Sequence, residues 1–161
     1  MTKYLDRLKG KRVLIVDDEP DMLESLEEML DICRLETAST FEEGRTLLES
    51  RRFDAAILDI MGVQGYQLLN IAVEKKIPAI MLTAHALSSE NFVISMKAGA
   101  TIYIPKDEIL NLAFFVAEAI SPEQPVKSGP PRWFEKLKPY FDWKFGSDWL
   151  ERYKDFWEEK L

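Results

Sequence analysis

The sequence contains a single cysteine, Cys33, among 161 residues. One thiol cannot form a disulfide within the chain, and it lacks the spaced partners that a structural zinc site requires. Cys33 continues an apolar pattern typical of a helix and lies between Ile32 and Arg34. We therefore expect a small buried hydrophobic side chain at this position rather than a nucleophile.

Positive charge and long apolar runs are also scarce. The chain has 21 Lys and Arg against 28 Asp and Glu, a formal net charge of −7. Because DNA phosphates are bound by clustered Lys and Arg, we expect no DNA partner. No apolar run approaches the roughly 20 residues of a membrane span, and the first twelve residues contain no signal-peptide core. We interpret that start as an ordinary leader, and we expect a cytoplasmic protein without membrane association.

Charge and aromatic residues divide the chain near residue 121. Residues 1–121 carry the whole net charge of −7, whereas residues 122–161 are neutral and contain all four tryptophans. Residues 121–131, SPEQPVKSGPP, hold four prolines and a glycine without apolar periodicity. This pattern is typical of a linker. We predict a domain at 1–121, a proline-rich linker at 122–131 and a helical aromatic tail at 132–161.

Short apolar runs recur along the first 121 residues: RVLIVD at 12–17, LETAS at 35–39, DAAILD at 54–59, AIML at 79–82 and TIYI at 101–104. Such runs are typical of strands that are buried on both faces. Segments with helical apolar spacing lie between them. The alternation predicts an α/β fold, a doubly wound five-stranded parallel sheet with helices on both faces, followed by a C-terminal helical extension.

Polar side chains follow these strands where each one ends. Asp17 and Asp18 follow the first strand, Asp59 ends the third, Thr83 the fourth, and Lys106 follows the fifth. Parallel strands share one carboxyl edge, so these groups converge there. Clustered carboxylates repel one another unless a cation is bound, and oxygen-rich clusters suit Mg²⁺. Solvated acids at strand ends are common, but matched positions on four strands favour a site for phosphoryl chemistry at an aspartate.

The sequence also resembles a known family. The segments VLIVDDEP at 13–20, AAILDIM at 55–61, MLTA at 81–84 and KAGATIYIPKDEIL at 97–110 are similar to response-regulator receiver domains of two-component systems. The resemblance covers roughly residues 10–121 and implies a flavodoxin-like receiver fold. It implies that Asp59 accepts a phosphoryl group from a sensor histidine kinase or a phosphotransfer protein. Mg²⁺ would be held by Asp17, Asp18, Asp59 and the backbone carbonyl of Met61.

The resemblance implies further roles around the acceptor. Lys106 would contact the phosphoryl oxygens, Thr83 would hydrogen-bond them, and the small side chain of Ala84 would leave them room. Tyr103 matches the switch aromatic that turns inward as Thr83 moves. His85, the only histidine, would influence the lifetime of the phosphoryl group. The resemblance does not imply a classical enzyme with a separate substrate. It implies only self-phosphotransfer and autodephosphorylation at Asp59.

Two features depart from the family pattern. The family usually has Pro four residues and Gly eight residues after the acceptor, whereas here Gly62 stands three and Gly65 six residues after Asp59. The loop after Asp59 therefore looks two residues shorter than usual, and its Pro is absent. The family lysine is usually followed by proline, whereas Lys106 is followed by Asp107. We therefore expect the direction of the Lys106 side chain to depend on a loop whose shape differs from the usual one in the family.

The tail carries one amphipathic pattern twice, WFEKLKPYF at 133–141 and WLERYKDFW at 149–157. Its apolar positions form one stripe of a helix, and Pro139 predicts a short or kinked first copy. The stripe could pack on the chain's own receiver, on a partner or second copy, or on a membrane surface. We favour a homodimer or partner contact, made by Trp133, Phe134, Trp149, Tyr153, Phe156 and Trp157.

Two rival functions follow from these features. A receiver fold whose phosphorylation is vestigial would act as an interaction or dimerisation module through the aromatic tail. An aspartate-based phosphohydrolase would need a second acid two residues after Asp59, where Met61 stands. The intact acids, Thr83 and Lys106 favour the phosphorylated receiver.

Overall fold

The computed structural model describes residues 3–84, 88–121 and 130–154. The five strands are β1 (Arg12–Val16), β2 (Arg34–Ala38), β3 (Ala55–Asp59), β4 (Ala79–Thr83) and β5 (Ile102–Pro105). The α-helices are α1 (Lys3–Leu8), α2 (Pro20–Met29), α3 (Phe41–Ser50), α4 (Gly65–Glu74), α5 (Ser89–Lys97), α6 (Leu112–Ile120), α7 (Arg132–Phe145) and α8 (Trp149–Arg152). A 3-10 helix, Lys106–Asn111, joins β5 to α6.

The strands form one parallel sheet in the order β2-β1-β3-β4-β5. Every residue of β3 and β4 is buried, which explains why these strands read as continuous apolar runs. The strand order reverses between β1 and β3, and ligands of such sheets bind at the carboxyl ends beside that point. The predicted α/β fold is confirmed.

The N-terminal segment is a helix and not the leader that we expected. In α1, Leu8 is fully buried, and the Arg7 guanidinium forms an ion pair with the largely buried Glu118 of α6 at 3.4 Å. Arg7 also donates a hydrogen bond to the carbonyl of Ser121. A helix of only six residues shows little periodicity, and its stability comes from packing on another helix, which the local sequence does not reveal.

The C-terminal helices pack on the chain's own sheet. Trp133, Phe134 and Trp149 are each no more than 5% exposed. The ring of Phe92, in α5, has its centroid 5.1 Å from that of Phe141 and 5.4 Å from that of Trp149. Tyr153 is partly buried against the same core.

Our expectation that this aromatic stripe faces a partner or a second copy is therefore wrong for Trp133, Phe134 and Trp149. The physical reason is that α5 and β5 present apolar side chains of their own, Phe92 and Tyr103, which the tail covers within the chain. Phe156 and Trp157 lie outside the described residues, as do His85 and residues 122–129 of the predicted linker.

The first tail helix is longer than we predicted. It has 14 residues and continues through Pro139. The side chains of Trp133, Phe134, Leu137 and Phe141 are buried along one face, and this packing offsets the cost of an interior proline. The indole nitrogen of Trp149 donates a hydrogen bond to Asp142 Oδ1 at 2.8 Å, which joins α8 to α7. Among the described residues, no helix has both the length and the apolar character of a membrane span.

Candidate functional site

The ends of β1, β3 and β5 bring three predicted residues together. Asp17 follows β1, and its backbone amide donates to the carbonyl of Ala38 at 3.1 Å, which fixes this residue at the sheet edge. The Lys106 ammonium lies 3.1 Å from Asp17 Oδ2 and 3.4 Å from Asp59 Oδ1. All three side chains are buried. The predicted convergence of Asp17, Asp59 and Lys106 is present in the structure.

Glu19 also belongs to this cluster, although we did not include it among the site residues. Its Oε1 accepts a hydrogen bond from the Lys106 ammonium at 2.9 Å. One carboxylate oxygen each of Asp17, Asp18 and Glu19 lies within 4.8 Å of the other two. Asp17 and Glu19 are tied locally, because the Glu19 amide donates to Asp17 Oδ1 at 2.9 Å. The signal for Glu19 was its position directly after Asp17 and Asp18.

The cluster changes the acidity of its members. Burial and the neighbouring Asp17 raise the pKa of Asp59 to about 6, although the charge and hydrogen bond of Lys106 act in the opposite direction. Burial lowers the pKa of Lys106, but its bonds to Glu19 and Asp17 outweigh this, and the net pKa lies above its ordinary value. At neutral pH, Asp59 is therefore mostly a carboxylate beside a protonated lysine.

The short loop after β3 is shaped by its glycines. Gly62 has φ +85°, and a β-carbon there would come within 2.7 Å of all three carboxyl atoms of Asp18. Gly65 begins α4, and a β-carbon there would overlap the carbonyl of Asp59 and approach the α-carbon of Ile60 to 2.8 Å. The Gly65 amide closes the loop by donating to the Ile60 carbonyl at 3.1 Å. Glycine thus lets this loop lie directly against both acids.

Thr83 and Tyr103 lie on adjacent strands behind the acids. Thr83 ends β4, is buried, and pairs in register with Pro105, the residue before Lys106. Ala84 follows it and is exposed. Tyr103 is fully buried among Phe92 and Phe141, with its hydroxyl bonded to the backbone of Ser88. Burial raises the pKa of Tyr103. The side chain of Tyr103 therefore points inward in this structure, and its role as a switch aromatic stays a prediction.

The donor set suits a hard divalent cation. Asp17 Oδ2 is buried and forms an ion pair with the Lys106 ammonium at 3.1 Å. Asp18 presents an exposed carboxylate beside it. Such oxygen ligands are those that Mg²⁺ prefers. The residues present therefore fit this ion. Met61 is exposed in the neighbouring loop, and the role of its carbonyl stays a prediction.

Comparisons with known proteins show what this chain is similar to. Residues 13–112 match the response regulator receiver domain family. The heme response regulator HssR of Staphylococcus aureus strain Newman is 39% identical over 109 residues, which is 63% of this chain and 47% of HssR. The CheY-like receiver domain protein from Methanospirillum hungatei JF-1 is 32% identical, with a TM-score of 0.59, and the match covers 69% of this chain and 97% of that one.

A third comparison concerns the fold alone. The receiver domain of sensor histidine kinase PA1611 from Pseudomonas aeruginosa PAO1, solved with magnesium coordinated in its active site cleft, has a TM-score of 0.61 at 24% identity. That match covers 69% of this chain and 98% of the other. The chain spans about half the length, or less, of the first curated relatives that it matches.

Proposed function

Because the chain belongs to the response regulator receiver domain family, we propose that it receives a signal as a phosphoryl group on Asp59. The donor is a phosphorylated histidine of a sensor histidine kinase or a phosphotransfer protein, and the reaction requires Mg²⁺. The observation that carries the proposal is the Lys106 ammonium, 3.4 Å from Asp59 Oδ1 and 3.1 Å from Asp17 Oδ2. A buried ammonium between two carboxylates is suited to neutralise the negative charge of an incoming phosphoryl group.

In the proposed reaction, an Asp59 carboxylate oxygen attacks phosphorus, and the bond from phosphorus to the donor imidazole nitrogen breaks. The electron pair of that bond leaves with the imidazole, which takes a proton, and Asp59 becomes an acyl phosphate. With a pKa of about 6, Asp59 supplies the required carboxylate at neutral pH. Lys106 stabilises charge on the transferring oxygens.

The neighbouring residues complete this assignment. Asp17 and Asp18, with Asp59 and the Met61 carbonyl, would hold Mg²⁺, which neutralises phosphoryl charge when bound. The Thr83 hydroxyl would donate a hydrogen bond to a phosphoryl oxygen, and Ala84 would leave space for it. Tyr103 would maintain the inward position that accompanies this bond. The phosphorylated chain would then signal through contacts with another protein.

The test uses the full chain with Mg²⁺ and phosphoramidate or acetyl phosphate, followed by intact mass spectrometry. We expect wild type to gain one phosphoryl group and Asp59→Asn to gain none. Asp54→Asn is the matched control, because Asp54 precedes β3 at the opposite sheet edge, and it should gain mass like wild type. A wild-type chain without mass gain, or a gain that persists in Asp59→Asn, would contradict the proposal.

A further inference from the structure

The C-terminal helix reaches the residue beside Lys106. The hydroxyl of Tyr140, in α7, donates a hydrogen bond to Oδ2 of Asp107 at 2.9 Å. Asp107 directly follows Lys106 in the first turn of the 3-10 helix. Among the described residues, this bond connects the tail to the segment that contains Lys106.

The position of Lys106 depends on that segment. Its ammonium contacts carboxylate oxygens of Asp17, Glu19 and Asp59 at the same time, at distances of 2.9 to 3.4 Å. A lysine side chain has a flexible four-carbon stem, so the position of its charge is set by the position of its backbone and by the groups around the stem. The Lys106 backbone lies at the junction of Pro105 and the 3-10 helix, and this helix contains one non-helical residue, Glu108. A short 3-10 segment of this kind has poorer hydrogen-bond geometry than an α-helix.

The tail helix α7, which carries Tyr140, is held in place by its own packing. The helix α7 is held by buried Trp133, Phe134, Leu137 and Phe141, and Phe145 stacks on Phe141 with centroids 5.4 Å apart. Tyr140 itself contacts the rings of Phe141 and Trp143. A hydroxyl on this rigid helix therefore gives Asp107 a fixed partner. Burial and the Asp107 bond raise the pKa of Tyr140 to about 12, and at neutral pH its hydroxyl is protonated and can donate.

We propose that Tyr140 is a positioning residue for phosphotransfer, which acts through Asp107 to aim the Lys106 ammonium at Asp59. This role rests on the proposed function and extends it to the tail. The family position after the lysine is usually a proline, and here it is an aspartate whose side chain is held from the C-terminal helix. The tail is thus part of what makes the phosphorylation site competent.

The experiment measures the rate of phosphorylation of the full chain by phosphoramidate with Mg²⁺, using intact mass. Tyr140→Phe removes the hydroxyl but keeps the ring contacts, and we expect phosphorylation about fivefold slower, since misplaced catalytic groups lower rates strongly. Asp107→Ala should slow it equally. Asp107→Asn keeps an oxygen that can accept the hydroxyl, and its rate should stay within about twofold of wild type.

A double-mutant cycle separates positioning from a general loss of stability. In a Lys106→Ala background, Tyr140→Phe should change the remaining rate by less than about twofold, because its effect passes through Lys106. Asp54→Ala is the matched control. Asp54 Oδ2 also accepts a hydrogen bond at 2.9 Å, from the Arg12 amide, but at the opposite edge of the sheet. We expect this variant to phosphorylate like wild type.

The outcomes distinguish the two proposals. If wild type takes up phosphoryl and Tyr140→Phe does so equally fast, the positioning role is wrong while the proposed function stands. Equal slowing of Tyr140→Phe with and without Lys106 would show a merely structural effect and would also overturn it. If wild type takes up no phosphoryl at all, the proposed function fails, and the positioning role fails with it.

Discussion

Phe92 and Trp149 meet edge to face, with ring centroids 5.4 Å apart and ring planes inclined by 82°. The first residue belongs to α5 of the receiver and the second to the last described helix of the tail. Phe92 also lies 5.1 Å from both Tyr103 and Phe141. Receiver and tail therefore share one hydrophobic core, and we expect them to unfold together.

Truncating Phe141 tests this shared core. The side chain is fully buried between Phe92, Tyr103 and Trp149. We expect Phe141→Ala to lower the free energy of unfolding by about 3–5 kcal/mol, the usual cost of a large buried cavity. Urea unfolding followed by circular dichroism measures the change.

The control lies two residues away on the same helix. Trp143 is 74% exposed, so Trp143→Ala should change the free energy of unfolding by no more than about 0.5 kcal/mol. If both variants cost the same small amount, the tail does not pack on the receiver in solution.

A methyl group at Gly65 should disturb the acceptor loop. The added β-carbon would collide with backbone atoms of Asp59 and Ile60, which cannot rotate away. In Gly44→Ala the new methyl meets Val16 methyls at 3.1 Å, which are side-chain atoms that can shift. We expect Gly65→Ala to lower the free energy of unfolding by about 1 kcal/mol or more beyond Gly44→Ala, measured by urea unfolding. Equal stability of the two variants would contradict the close approach.

Local signals in the sequence were sufficient for several structural details. Thr40 stands directly before α3 with Glu43 three residues on, a pattern typical of a helix start, and the Glu43 amide donates to Thr40 Oγ1 at 3.2 Å. Glycine is typical just after a helix end, and Gly99 has φ +105° just beyond α5. These features depend on neighbouring residues only, so the sequence determines them directly.

Contacts between distant segments could not be predicted in the same way. The stripe of Trp133 and Phe134 shows that one face of the tail helix is apolar, but periodicity does not identify the surface that covers it. The bond from Tyr140 to Asp107 spans 33 residues and depends on that choice. Glu19 stands beside Asp17 and Asp18 in the sequence, but its hydrogen bond with Lys106, 87 residues away, depends on the fold.

The buried thiol of Cys33 should resist alkylation in the folded chain. Burial, with Asp31 and Asp54 adding negative charge nearby, raises its pKa from 9.0 to about 11. Between those values the unfolded chain loses a proton that the folded chain keeps, so this thiol lowers stability as pH rises above about 9. We expect iodoacetamide at pH 9 to modify native protein at least tenfold more slowly than protein in urea, measured by intact mass. Equal rates would show that the thiol is accessible.

Magnesium binding should depend on Asp18 more than on Glu19. Asp18 presents an exposed carboxylate beside Asp17, whereas Glu19 already accepts a hydrogen bond from Lys106. We expect Asp18→Asn to weaken Mg²⁺ binding at least tenfold, because the substitution removes a charged oxygen ligand. Glu19→Gln should weaken it by less than about threefold, and Asp21→Asn, in the first turn of α2, should leave it unchanged. Titration calorimetry with MgCl₂ measures all three. A larger loss for Glu19→Gln than for Asp18→Asn would assign the ion to the glutamate instead.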